Sequence, residues 1–490
     1  MSYITTSDRQ QIEFKSLDDT ITKDNPVRMI DAILENIVKK NPDMFKKEGK
    51  RKGNTVGRPE YPAEEMMKII FYGYYNGISS SRKLETETHR NEEMKWLIKR
   101  LTPDYWTISM YRKNNGEKIK KITRIFRQFL YKSEYIKAEE VALDGTKVRA
   151  NTTKDFIKKE EIEKLGIELT KEIEDNMERY LNRMEEEDNA DETLEEKQEE
   201  IKQLEAKIKE LKQKAKQYEE LIKKLEEEGR DKISKTDPES NYMKSRNGIV
   251  PAYNVQIMTD IESDMIIDSE VTDKGSDATE LEPMVKSLEE EIGKKPEEII
   301  ADSGYNNPDM IERVEKDEGI KCYIPNVTSN RVEGEIKFTY NEEGDYIECS
   351  EGKRLELYNK NKRKHKTRAD VYRGKECNGC KIKDRCTKSK KGRTYTRYWN
   401  QQWRNEYKEK METAQAKQKQ KRRRRIEHVM GNIKSLLWRN RLLLRGKAKA
   451  SIEIDLITTV YNMKRLINIE KEKGVSYLIG IINTYQWQLS

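Results

Sequence analysis

No stretch of this 490-residue chain reaches the roughly 18 consecutive apolar residues that a membrane-spanning helix needs. The opening MSYITTSDRQQ lacks the basic-then-apolar order of a secretory signal. Both absences point to a cytoplasmic protein with no membrane partner. Cysteine is scarce, with five in all. In a reducing compartment such thiols build no disulfide framework, so any that cluster need another explanation. Apolar residues make up only 34% of the chain against 38% charged. That is polar for a globular protein, yet apolar runs recur throughout, which excludes global disorder and suggests folded domains joined to a charged, solvent-exposed segment. The chain is too long for one core, and two to four domains are expected.

The net charge of +8 conceals strong local asymmetry. Residues 359–394 and 408–425 are dominated by Lys and Arg, whereas 172–200 is acidic. Basic blocks of this kind fit nucleic acid better than membrane, with a solvated basic surface as the plain alternative.

Along the chain, residues 1–135 read as helical. AEEMMKIIFYGYYNG (63–77) has apolar residues at helical spacing and a glycine stop, and serine caps open the next segment. TPDYWTIS then predicts a turn and cap before one long basic helix, YRKNNGEKIKKITRIFRQFLY. Short helices before a basic helix suggest a helix-turn-helix type of DNA binder. Thr107, Ser109 and Arg112, near the start of that helix, are the candidates for base contacts, and Lys118, Lys120, Lys121, Arg124 and Arg127 for phosphate contacts.

From about residue 138 the pattern turns to strands: EVALDGTKVRA, AYNVQIMTD (252–260) and DMIIDSEVT (264–272). A helix over 278–293 follows, then the strand EEIIADSG, a helix opened by Asn-Pro, and the strand KCYIPN. Between the first two strands, residues 156–232 carry a heptad. Ile201, Ile208, Ala215 and Ile222 fill one apolar position, and Leu204, Leu211, Tyr218 and Leu225 the other. Leu169, Ile173, Tyr180 and Met184 repeat more loosely before an acidic turn at 185–193, which predicts an antiparallel helical hairpin or, alternatively, a pairing surface for a second subunit. A second insertion, 326–415, holds Cys349, Cys377, Cys380 and Cys386. Four thiolates suit one structural zinc, and a Lys-rich region poor in apolar residues needs such a staple; free thiols are the other reading. Cys322 reads as a core residue, and His365 as solvated or facing DNA.

Three segments carry the chemistry. In VALDGTKVRAN and EIIADSGYNN an apolar run ends in Asp144 and Asp302, each followed by small turn residues, which is how a strand presents a carboxylate at its tip. In RRRIEHVMGNIK, Glu427 lies within a basic amphipathic helix. Two strand-end aspartates and a helical glutamate can hold two divalent ions through hard oxygen ligands. Arg423 and Lys434, at offsets of four and seven from Glu427, fall on neighbouring faces of one helix and can reach phosphates.

The spacing R-x3-E-x6-K (Arg423, Glu427, Lys434) and the words around both aspartates resemble the DDE-type transposases of bacterial insertion sequences. The run GRPEYPAEEMMKIIFYGYYNGISSSRKLE is similar to their N-terminal domain, TDPESNYMKS (236–245) matches their wording, and the likeness covers nearly the whole chain. It implies an α+β multidomain fold: a helical, helix-turn-helix-like DNA-binding domain (1–135) and an RNase H-like α/β core (136–155 and 233–325). A coiled-coil hairpin (156–232) and a basic Cys-containing insertion (326–415) interrupt that core, and a C-terminal helical part (416–490) carries Glu427. It also implies Asp144 bridging two Mg²⁺ (or Mn²⁺) ions, with Asp302 holding one and Glu427 the other. The implied partners are double-stranded DNA, as element terminal inverted repeats and target, and a second copy of the chain in a homodimer. One departure is Gln420, where the family pattern has tyrosine. Asp237 reads as a turn cap before Pro238, and Lys244 and Arg246 as further DNA contacts. The competing readings are a transposase-derived DNA-binding protein without catalysis, an RNase H-like nuclease, and a structural coiled-coil protein, the last of which leaves the aspartates unexplained.

Overall fold

The computed structural model describes residues 10, 12, 14–45, 59–152, 156–188, 195–227, 229–245, 248–326, 336–364, 367–437 and 441–487. Arg246, His365 and the tip of the expected acidic turn, 189–194, lie outside the described residues. No helix among the described residues is long and apolar enough to cross a membrane.

Seven helices open the chain: α1 (Pro26–Lys40), α2 (Pro42–Phe45), α3 (Ala63–Tyr75), α4 (Ser81–Arg90), α5 (Glu92–Leu97), α6 (Tyr105–Asn114) and α7 (Gly116–Lys132). The single long helix expected after TPDYWTIS is two. Asp104 caps α6 by accepting from the Thr107 amide at 2.7 Å, so the helix begins at Tyr105, and Thr107 and Ser109 lie within it. The Asn114-Asn115-Gly116 break then starts α7 afresh. The apolar face of α7 (Ile119, Ile122, Ile125, Phe126, Phe129, Leu130) is fully buried.

Next come β1 (Glu140–Arg149), β2 (Phe156–Lys158), α8 (Lys159–Asp188), α9 (Glu195–Glu227), β3 (Lys232–Ser234), β4 (Asn241–Ser245), β5 (Gly248–Asp260), β6 (Ile266–Thr272), α10 (Leu281–Ile292), β7 (Glu298–Ala301), α11 (Pro308–Asp317) and β8 (Lys321–Tyr323). The main sheet has the order β4-β5-β1-β7-β8, with β6 on β5. Because β5 runs antiparallel to β1, β4 and β6, while β7 and β8 run parallel to β1, five strands send their carboxyl ends to one edge. The small pair β2–β3 roots the hairpin α8–α9, whose helices run antiparallel: Tyr180 donates to Glu205 and Arg183 pairs with Glu200. Its heptad positions Ile201, Ile208, Leu211 and Leu225 are buried.

The 326–415 insertion is more ordered than its composition suggests. β9 (Phe338–Asn341), β10 (Tyr346–Cys349), β11 (Arg354–Lys364), β12 (Thr367–Arg373) and β13 (Thr394–Tyr398) form a second antiparallel sheet, with the one-turn helix α12 (Lys383–Cys386) beside it. Its core is small: Ile347, Leu355 and Tyr372, flanked by Phe338, Tyr340, Leu357 and Tyr395. The chain then returns to the main sheet through α13 (Gln401–Glu412), α14 (Ala414–Arg423), α15 (Arg425–Leu436), α16 (Lys447–Ile469) and α17 (Gly474–Thr484). The return begins near residue 401 rather than 416, because the Tyr407 hydroxyl accepts from the Ile324 amide at 2.9 Å and docks α13 beside β8.

The helical head does not stand apart from the main sheet. One hydrophobic core runs from Ile21 through α7, β1, β6 and α16 to Trp487. Thr123 of α7 meets Thr459 of α16 at 2.8 Å, and Trp487 stacks on Phe129 with ring centres 4.6 Å apart.

Candidate active site

The parallel pairing of β1 with β7 ends at Leu143 opposite Ala301. Asp144 and Asp302 are therefore the next residues on adjacent strands, at the edge where the parallel strands terminate. Asp144 is not at a strand tip, as its sequence context suggests. β1 continues to Arg149 because β5 keeps pairing on its other side, and only the β7 side opens at Asp144. Asp144 Oδ1 accepts from the Gly145 amide at 2.8 Å, and Asp302 Oδ1 from the Gly304 amide at 2.8 Å.

Arg423 and Glu427 approach from α14 and α15. These are two helices, broken at Arg424, not the one continuous helix expected. Arg423 Nη1 lies 3.4 Å from Asp144 Oδ2, and its Nη2 lies 3.9 Å from Glu427 Oε1. The Glu427 side chain is 64% exposed and Arg423 only 15%. The geometry thus brings Asp144, Asp302, Arg423 and Glu427 together. Lys434 and His428 are exposed further along α15.

What holds α14 in place is a set of contacts that the sequence does not announce. Gln420, at the tyrosine position of the insertion-sequence pattern, donates through Nε2 to the Ala301 carbonyl at 3.1 Å and the Tyr323 carbonyl at 2.7 Å. Lys419 pairs with Glu140 and Glu298, and Arg422 with Glu140.

Burial pushes the Asp144 carboxyl up to about 6; the Arg423 guanidinium opposes this and the Asp302 charge adds to it. Two half-buried carboxylates side by side, with the Arg423 guanidinium against one of them, leave negative charge only partly compensated. The neighbouring Tyr305 hydroxyl donates to Gln256 and is held well above its ordinary range by burial, then by the charges of Asp277, Asp144 and Asp302. Asp277 went unremarked in the sequence, where VTDKGSD reads as a loop. The signal that could have found it is the glycine after each aspartate, Gly145 and Gly304.

The DNA-contact candidates divide. Thr107 and Ser109 are half-buried on α6, beside the exposed Tyr105 and Trp106. Arg112 is 5% exposed and donates to the Ser79 carbonyl at 2.7 Å, so it pins the head internally and does not present itself to a base. Arg127 is likewise internal, paired with Asp268 at 3.4 Å and Glu291 at 3.6 Å and donating to Ser269 and Thr458. Arg124 turns to the Glu290 carbonyl, whereas Lys120 and Lys121 are exposed. Lys118 lies over the Phe45 ring. Asp237 does more than cap a turn: it is buried, and accepts from the Tyr253 hydroxyl at 2.8 Å and from the Gly446 amide, just before α16.

The four cysteines of the second sheet line one small cavity with Phe338, Leu355 and Arg393. Burial raises the Cys386 thiol, Arg393 opposes, and Cys377, Cys349 and Cys380 add to the rise. A Cβ on Gly374 would come within 2.5 Å of Cys377 Sγ. Cys322 is buried in β8, away from this group. Among the described residues, no three His, Cys, Asp or Glu side chains already stand close enough together to hold a metal ion.

Two family descriptions match the chain: "Transposase DDE domain" over residues 348–467, which includes the cysteine cavity, Arg423, Glu427 and Lys434, and "Transposase domain (DUF772)" over residues 15–114, which covers most of the helical head. Asp144 and Asp302 lie between the two matched segments. Comparison with curated proteins gives no match. Met in this order on one chain, the two transposase families support an insertion-sequence DDE transposase.

Proposed function

We propose that the chain is a catalytically active transposase that binds the terminal inverted repeats of its own element, cuts DNA there and joins the freed 3′-hydroxyls to target DNA. The main sheet, in this reading, is an RNase H-like core. The observation that carries it is Asp144 and Asp302 side by side at the carboxyl edge of the parallel strands, with Arg423 joining Asp144 to Glu427. Hard carboxylate oxygens in an under-compensated pocket suit Mg²⁺ or Mn²⁺. Asp144 is central and would serve two ions, with Asp302 serving one and Glu427 the other. Bound there, the ions neutralise charge at the scissile phosphate and activate water or a 3′-hydroxyl.

The chain's own residues do the rest. Asp144 and Asp302 are fixed by backbone amides, so they define the position to which the DNA strand must come. Glu427, exposed and just past the Arg424 break, can move inward as the site closes. Arg423 is placed to transfer its charge from Asp144 to a phosphate, and Lys434 extends that basic track along α15. Thr107 and Ser109 are proposed as end-reading residues and Lys120 and Lys121 as phosphate contacts. The cysteine cavity is proposed to hold one structural zinc, which would draw the thiolates together and staple a sheet whose apolar core is small. Two element ends require two active sites, which supports a homodimer on DNA.

The test is cleavage of DNA carrying the element's own ends. It should require Mg²⁺ or Mn²⁺, with Ca²⁺ supporting binding only. Asp144→Ala, Asp302→Ala and Glu427→Ala should each abolish cutting while end binding persists. A variant keeping more than about a tenth of wild-type cleavage, a loss of only about 1.4 kcal/mol in barrier, would remove that residue from the set.

A further inference from the structure

The loop between β6 and α10 brings Asp277 to the same edge of the sheet as Asp144 and Asp302. On β1, Gly145 and Lys147 share a face, and their register partners on β5 are Gln256 and Asn254. All three side chains of this group converge on Asp277 Oδ1: Asn254 Nδ2 at 2.6 Å, Gln256 Nε2 at 2.8 Å and Lys147 Nζ at 3.2 Å. Among the described residues Oδ2 receives only Lys147, also at 3.2 Å.

The glycines show how closely this carboxylate is fitted there. A Cβ on Gly145, the residue after Asp144, would lie 2.5 Å from Asp277 Oδ1 and 2.8 Å from Gln256 Nε2. A Cβ on Gly304, two residues after Asp302, would lie 2.9 Å from Asp302 Oδ1 and 3.5 Å from Asp277 Oδ2. Gly145 leaves room for Asp277 and Gly304 for the Asp302 carboxylate, and Asp277 and Asp302 lie on either side of Gly304 with no side chain of that residue between them. Oδ1 takes three of the four donor contacts and Oδ2 only one, so Oδ2 keeps acceptor capacity beside Gly304.

We propose that Asp277 is a fourth carboxylate of the active site, strengthening cation binding at Asp302 through Oδ2, with Lys147 as the counter-charge that balances it before a cation arrives. This rests on the metal-dependent reading above. Two like charges facing each other across a glycine repel one another and gain most from a divalent ion between them, inner-sphere or through water. Lys147, bonded to both oxygens of Asp277, offsets that repulsion until a cation arrives.

The test is Mn²⁺ titration of the full-length protein by calorimetry, without DNA, with the melting temperature recorded in metal-free buffer. Asp277→Asn, which keeps size and an acceptor oxygen for Asn254 and Gln256, should weaken Mn²⁺ binding at least about tenfold while the protein stays folded by its melting curve. Lys147→Met should do the opposite and tighten it, which a purely structural Asp277–Lys147 pair would not do. Unchanged Mn²⁺ affinity in Asp277→Asn, or weakening in Lys147→Met, would overturn the proposal. Asp144→Asn and Asp302→Asn separate the two readings: if neither lowers Mn²⁺ binding, the two-metal reading itself fails; if both do and Asp277→Asn does not, only the fourth carboxylate is withdrawn.

Discussion

Gln420 donates to the carbonyl of Ala301, the residue immediately before Asp302, and so ties the helix that ends in Arg423 to the strand that delivers an active-site aspartate. Replacing it with leucine removes that bond and the one to Tyr323, leaving two carbonyls without their donor at a cost of about 1–3 kcal/mol each. Gln420→Leu should cut DNA at least about tenfold more slowly, with end binding near wild type. Equal cleavage rates would show that Arg423 is positioned without it.

Asp144 gives a pH signature. Its folded-state pKa, about 6, lies above its ordinary value of 3.8, so the folded chain binds this proton more tightly than the unfolded one. The associated stability is fully present below about 3.8 and is lost as pH rises through about 6. In metal-free buffer, Asp144→Asn should therefore melt higher than wild type at pH 8, with the gap closing as pH falls toward 4. Differential scanning calorimetry across that range checks it, and a gap that widened on acidification would refute it.

The cysteine cavity should yield about one zinc per chain by elemental analysis of protein purified without added metal. Cys377→Ser or Cys380→Ser should release it and loosen residues 338–398 in hydrogen exchange while leaving β1, β5 and β7 protected. Freshly reduced protein with no zinc would establish the cavity as a pocket of free thiols.

Arg127 and Lys121 share α7 but should fail differently. Arg127→Ala leaves Asp268 and Glu291 without their buried cation and should destabilise the fold by about 3–5 kcal/mol. Lys121→Ala should leave the melting temperature alone and weaken DNA binding at all sequences, with a shallower salt dependence. A stable Arg127→Ala protein with selectively weakened DNA binding would return that residue to the DNA surface.

These contrasts show where sequence reasoning reached and where it stopped. The strands of the main sheet, the antiparallel hairpin and the grouping of four cysteines follow from local pattern, because alternation, heptads and Cys-x2-Cys spacing are properties of neighbouring residues. Arg112 and Arg127 look like DNA contacts because a basic helix usually faces solvent; their burial depends on Ser79, Asp268 and Glu291, which no local window relates to them. The second sheet hid in a Lys-rich stretch, since its core needs only three buried side chains. Asp277 went unremarked, and the part played by Gln420 unread, for one reason: each is bonded to strands distant in sequence.

The shared core of head and sheet also orders events in time. Thr123 and Thr459, which meet across α7 and α16, are 336 residues apart in sequence. While the chain is being synthesised, α7 emerges long before α16, α17 and Trp487, and until then its apolar face lacks part of its cover. The helices proposed to read DNA gain their final packing only after the helices that carry Glu427 and follow it have been made. A nascent or truncated chain would therefore lack a finished reader, and recognition is tied to possession of the complete cutting machinery.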